Sequence, residues 1–108
     1  MEAKNLEIDK EREPEISIKD WIGEKAKIVS FEIREGEYGH YVILKTEEVK
    51  GMSATAAFGL VLKDGKLKIR ENSKADRFLK HLGIMSFEDS IGKEVTFTIN
   101  EKGFLTFI

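Results

Sequence analysis

Arg34-Glu35-Gly36-Glu37-Tyr38-Gly39-His40-Tyr41-Val42-Ile43-Leu44-Lys45 is the stretch that decides the fold. Before it, Val29, Phe31 and Ile33 alternate with Ser30, Glu32 and Arg34, so residues 25–34 read as a half-buried strand. Residues 35–39 hold two glycines among charged side chains and read as the loop that reverses the chain. Residues 40–49 then read as a second strand. Its centre, Tyr41-Val42-Ile43-Leu44, is apolar on both faces, which implies a central position or a covered outer face. Successive side chains on a strand point to opposite faces, so one of Tyr41 and Val42 faces the core. The pattern alone leaves open which.

Outward from this pair the same signals continue. In residues 51–59, Met52, Ala54, Ala56 and Phe58 alternate with Ser53, Thr55 and Ala57, a third strand with unusually small side chains. Residues 60–62 and 67–70 flank Lys63-Asp64-Gly65-Lys66, and Asp-Gly between apolar runs marks a hairpin turn. Asn72 or Ser73 can cap a helix reaching about Leu82, on which Ala75, Phe78, Leu79 and Leu82 form one apolar stripe. Lys80 and His81 suit its C-terminal end and Gly83 its cap. Ser86 can cap a short turn over residues 86–91. Val95, Phe97 and Ile99 alternate in a strand that turns at residues 100–103 and returns from Phe104 to Ile108. Ser17 can cap one helical turn that packs Trp21 and Ile22 inward. Ile22-Gly23-Glu24-Lys25 is echoed by Ile91-Gly92-Lys93-Glu94, each a turn feeding a strand.

Composition bounds the function. The chain has 108 residues, and domains most often hold about 100–150, so one core is expected. No apolar run approaches the roughly 20 residues of a membrane span, and no signal peptide is visible; a cytoplasmic location without membrane contact is expected. Cysteine is absent, which excludes disulfides, zinc-thiolate sites and a cysteine nucleophile. The charged fraction, 35%, exceeds the roughly 25% usual for soluble domains and glutamine is missing, a composition reported for hyperthermophiles. Residues 1–24 carry eight acidic and four basic side chains, whereas residues 63–81 carry seven basic and three acidic. The chain therefore reads as an acidic, mobile arm over residues 1–14, with only Leu6 and Ile8 to bury, followed by a single domain over 15–108.

The order strand, strand, strand, extra hairpin, helix, strand, strand resembles the OB-fold, a Greek-key β-barrel of about five strands. The resemblance covers residues 17–108. It rests most on Ile22-Gly23-Glu24-Lys25 and on the stretch from Arg34 to Lys45, which is similar to small OB-fold proteins of archaea, phages and plasmids, some of which bind single-stranded DNA. It implies a mainly β protein with one helix between the third and fourth main strands. It also implies a ligand face on the second and third strands, flanked by the first–second and fourth–fifth loops.

Carried onto this sequence, that face holds Arg34, Tyr38, His40, Tyr41, Lys45, Ser53 and Thr55, with Lys102 in the last loop and Phe104 beside it. Tyr38 and Tyr41 would stack on bases and Arg34 and Lys45 would hold phosphates. Glu35 and Glu37 beside Tyr38 would repel phosphate. A second basic surface runs through Lys63, Lys66, Lys68 and Arg70 of the hairpin and Lys74, Arg77 and Lys80 of the helix. If it adjoins the first, a positive stripe results; otherwise it is the solvated face of two amphipathic elements. The two histidines, His40 and His81, are isolated, and no metal-ligand spacing, phosphate-binding glycine motif or nucleophile–base pair appears. The expectation is therefore a non-enzyme without cofactor that binds single-stranded DNA or RNA with little sequence preference. The alternative is a protein-interaction or assembly module, homo-oligomeric through its acidic arm or its apolar last strand.

Overall fold

A computed structural model describes residues 18–108; the acidic arm over 1–14 and the capping role of Ser17 lie outside the described residues. The first two strands, β1 (Lys25–Gly36) and β2 (Gly39–Thr46), form the longest ladder, with Gly36 opposite Gly39. The expected five-residue loop is thus a tight reversal with Glu37 and Tyr38 at its tip. The absence of a side chain on Gly36 matters here. A Cβ at that position would stand 2.8 Å from Cε1 of Tyr41, so the tyrosine ring folds across the glycine.

Five further strands follow: β3 (Thr55–Gly59), β4 (Val61–Lys63), β5 (Lys66–Lys68), β6 (Glu94–Ile99) and β7 (Leu105–Phe107). The fold is mainly β with one helix, α1 (Lys74–Leu82), between β5 and β6. A five-stranded antiparallel sheet runs in the order β3-β2-β1-β6-β7, and β4 and β5 pair separately as the extra hairpin. The sheet is not closed into a barrel. Its two edges, β3 and β7, approach each other, and the Thr106 hydroxyl donates to the Thr55 carbonyl at 2.8 Å, but no ladder joins them.

β1 serves two partners. Its first residues pair with β6, Lys25 opposite Thr96, and the rest pair with β2. A bulge between Ile28 and Ser30 separates the two halves. It also corrects the expected phase: Ala26 and Ile28 point inward before it and Phe31 after it, while Val29 at the bulge is 51% exposed; Ile33, opposite buried Val42, keeps the phase of Phe31 yet is 49% exposed. An extra residue in one strand shifts the alternation by one, which periodicity cannot anticipate. The paired turns before β1 and β6 act reciprocally. Gly23, at φ 91°, donates its amide to Phe97 of β6, and Gly92, at φ 90°, donates to Ile28 of β1. Positive φ favours glycine at both places.

The core lies between the sheet and α1. Val42, Leu44, Ala54, Ala56 and Phe58 are buried beside Ala75, Phe78 and Leu79 of the helix. Phe58 is the hub, its ring centroid 4.8 Å from Phe78 and 5.6 Å from Phe87, while Phe78 reaches Phe107 at 5.9 Å. Such ring pairs contribute about 0.5–1.5 kcal/mol each beyond burial. Trp21 is buried as expected and donates Nε1–H to the Val49 carbonyl at 2.6 Å; Ile22, expected inward, is exposed. α1 begins at Ser73, whose hydroxyl accepts from the Asp76 amide, and ends at Gly83 in the left-handed region. The second and third strands are shorter than expected. β2 stops at Thr46 and β3 starts at Thr55, with an isolated bridge between Val49 and Met52 around a turn at Lys50 and Gly51. At the break, the Thr46 hydroxyl accepts from the Ala54 amide and donates to the Glu47 carbonyl.

Candidate nucleic-acid interface

Register assigns the faces of β2. Val42 lies opposite Phe58 and Leu44 opposite Ala56, all buried, so Tyr41, Ile43 and Lys45 belong to the other face. Their neighbours there are Arg34, Glu32 and Ser30 on β1 and Gly59, Ala57 and Thr55 on β3. Tyr41 is half-buried between Arg34 and Gly59. Glycine on one side and the ring's position over Gly36 leave its flank bounded by small residues. Tyr38 at the turn tip is 96% exposed. Lys45 is exposed beside Thr55.

A groove of about 820 Å³ opens along this face. One wall is the outer side of the sheet, with Ile43, Thr55 and Ala57. A second is α1, which contributes Lys74, Arg77 and His81 at positions one and two turns apart. The third is the β6–β7 hairpin, with Thr98, Ile99, Asn100, Phe104 and Leu105. Phe78 and Phe107 form part of the floor. Among the described residues no Asp or Glu side chain lines it. Lys74 Nζ stands 5.1 Å from the centroid of Phe58 and 3.5 Å from the Ala57 carbonyl. Arg77 donates to the Asn72 carbonyl at 3.4 Å. Neither cation has a carboxylate partner among the described residues. Asn100 shapes the rim: its side-chain oxygen accepts from the amides of Lys102 and Phe104, which holds Phe104 at the mouth, 64% exposed.

The expected site residues divide between three places. Tyr41 and Lys45 share the sheet face whose Ile43, Thr55 and Ala57 form one wall, but neither lines the groove itself. Arg34 is on that face too, but its guanidinium is held by the Glu32 carboxylate at 2.9 Å. That hydrogen bond and charge, with a smaller contribution from Tyr41, raise the Arg34 pKa above its ordinary value. His40 lies on the opposite face of β2, half-buried, opposite Glu35. It gathers with Tyr38 and Tyr41 around a smaller hollow at the β1–β2 turn. Lys66 and Lys68 share one face of the extra hairpin with Lys63, while Arg70 lies past the end of β5. Lys102 is exposed in the last turn, outside the groove lining.

Five contributors escaped the sequence reading. His81 looks like a helix-end cation, yet it lies two turns from Lys74 on the groove side of α1. Ile43 left a signal, the apolar outer face of β2, which the groove covers in part. Thr98, Ile99 and Asn100 left none, because their place depends on β7 turning back toward β3. Among the described residues no cluster of carboxylates and imidazoles could hold a metal ion, and no helix is long and apolar enough to cross a membrane. Compared with known protein families, with curated proteins and with solved structures, the chain matches none.

Proposed function

We propose that this chain is an OB-like module, an incompletely closed Greek-key barrel, that binds single-stranded nucleic acid with little sequence preference. The observation that carries the reading is the groove itself. It joins the outer face of β2 and β3 to two cations of α1, and among the described residues these lack carboxylate partners and no acidic side chain lines the groove. Such a surface suits a phosphate backbone. Phe104 at the mouth, and Tyr41 and Tyr38 along the sheet, offer faces on which bases stack. Lys45, Lys74 and Arg77 are the phosphate ligands; Lys66, Lys68, Arg70 and Lys102 extend the positive surface at longer range. The strand order and the contact of β3 with β7 support the OB-like architecture. The cytoplasmic location and hyperthermophile source suggested by composition belong to the same reading.

The test is fluorescence anisotropy with labelled single- and double-stranded oligonucleotides at low and high salt. Micromolar or tighter binding of the single strand that weakens with salt is expected, with the duplex weaker because its base faces are already stacked. No binding at low salt refutes the reading. An assembly module is the second reading, favoured by the edges of β3 and β7, which have no ladder partner among the described residues, and by exposed Phe104 and Ile108. Light scattering over a concentration series tests it: a dimer at micromolar concentration supports it, a monomer throughout refutes it.

A further inference from the structure

β6 covers only the start of β1. It pairs with Lys25, Ala26 and Lys27, and Ile28 closes the contact, donating its amide to the Lys93 carbonyl and accepting from the Gly92 amide. From Val29 to Gly36 the same edge has no ladder partner among the described residues. Register shows which groups it presents. On β2 the His40 carbonyl accepts from the Leu60 amide and the Thr46 amide donates to the Ala54 carbonyl, so even-numbered residues of β2 turn toward β3 and odd-numbered ones toward β1. Gly39, Tyr41, Ile43 and Lys45 lie opposite Gly36, Arg34, Glu32 and Ser30, which therefore direct their amides and carbonyls to β2. Phe31, Ile33 and Glu35 direct theirs to the outer edge.

This edge is complementary to itself. A second β1 laid antiparallel against it must set outward-directed residues opposite outward-directed residues, which leaves few registers. Phe31 opposite Ile33 sets Glu32 against Glu32. Ile33 opposite Glu35 sets Arg34 against Arg34. Ile33 opposite Ile33 sets Glu32 against Arg34 twice and Phe31 against Glu35 twice. That register alone opposes unlike charges, and it alone brings all three outward-directed residues into hydrogen-bonded pairs. Ile33, opposite buried Val42 yet 49% exposed, then meets its own copy. Glu32 and Arg34, which hold each other at 2.9 Å, are both more than half exposed and can exchange partners across the new ladder.

We propose that β1 pairs with β1 of a second copy of this chain, antiparallel about a two-fold axis at Ile33, and joins the two five-stranded sheets into one. Such an interface is isologous, so it closes at a dimer. No residue from 29 to 36 lines the groove, and the proposal stands apart from the nucleic-acid reading.

Light scattering over a concentration series is expected to show a dimer at micromolar concentration. Glu32→Arg opposes like charges twice and should weaken the dimer about tenfold or more, whereas Glu32→Arg/Arg34→Glu restores it to within about twofold. Thermal melts confirm that each variant is folded. A native chain that stays monomeric overturns the proposal, as does Glu32→Arg dimerising like the native chain or a double variant no tighter than the single one. Cross-linking fixes the register, because the chain has no native cysteine. Hydrogen-bonded antiparallel neighbours stand about 5.5 Å apart at Cα, within disulfide reach. Ile33→Cys should therefore oxidise to a covalent dimer much faster than Glu35→Cys or Phe104→Cys. Equal or faster cross-linking at Glu35→Cys overturns the register, and faster cross-linking at Phe104→Cys assigns the dimer to another surface and overturns the proposal.

Discussion

Replacing Lys74 and Arg77 together by Ala removes the two groove cations that have no carboxylate partner among the described residues, at the cost of weak contacts to Phe58, the Ala57 carbonyl and the Asn72 carbonyl. Each neutralised phosphate on a single strand contributes about −0.7 to the slope of log K against log salt. With Lys45, Lys74 and Arg77 each meeting one phosphate, the native slope is about −2, and the double variant keeps about −0.7. Referred to 1 M salt, the loss of two contacts amounts to about 25-fold in affinity at 0.1 M and about fivefold at 0.3 M. Stability changes little. Both side chains are exposed, and the cation–π contact of Lys74 over Phe58 contributes only about 0.5–1 kcal/mol at such a site. The assay is anisotropy titration from 0.05 to about 0.5 M salt, with a thermal melt as control. An unchanged slope, with the melt intact, refutes the assignment of phosphates to this groove.

Four more outcomes are expected. Tyr38→Ala/Tyr41→Ala weakens single-strand binding at least tenfold, since stacking contributes about 1–3 kcal/mol per base, and unchanged anisotropy removes both rings from the site. Glu32→Ala, which deletes a carboxylate from the sheet face and frees Arg34, tightens binding about twofold or more at low salt and has no effect at high salt. Phe58→Ala, at the hub of the ring cluster, destabilises by about 3–5 kcal/mol in denaturant melts, and a loss below about 1 kcal/mol contradicts the packing. Asp76 has its pKa lowered first by the Asn72 amide and then by Lys80, so the stability it contributes is present above its unfolded pKa and lost as pH falls through the depressed folded value. Asp76→Asn should therefore flatten stability against pH in that acidic window, and a variant with the native acid limb contradicts the assignment.

Local chemistry made some of the fold readable and not the rest. The β4–β5 hairpin is legible because Asp64 and Gly65 both adopt positive φ, at 54° and 76°, which few other pairs tolerate. The helix is legible because Ser73, the Ala75-Phe78-Leu79 stripe and Gly83 specify its start, face and end independently. The phase of β1 is not, because the bulge before Ser30 breaks the alternation on which the reading depends. Nor is the burial of Tyr41 and Val42, since both are apolar enough for either face; pairing with Gly59 and Phe58 on β3 decides between them. The site follows the same division. Tyr41 and Lys45 are legible as one strand face, and Lys74 and Arg77 as one helix face. That these two faces border one groove, with Phe104 across from them, depends on contacts between residues far apart in the chain.

The reciprocal amides of Gly23 and Gly92 bear on how the chain acquires its shape. The β1–β2–β3 meander forms from neighbouring segments, but β1 meets β6 only by joining Lys25 to Thr96, 71 positions apart. Closing a loop of that length costs about 4 kcal/mol from its length dependence alone. One weak contact cannot offset that cost. The two glycine turns bring four backbone hydrogen bonds, Gly23 with Phe97, Phe97 with Glu24, Gly92 with Ile28 and Ile28 with Lys93, beside a three-residue ladder, so closure gains several contacts at once. Assembly of this junction is therefore expected to be late in folding, and the β6–β7 wall of the groove to take its place only once it has closed.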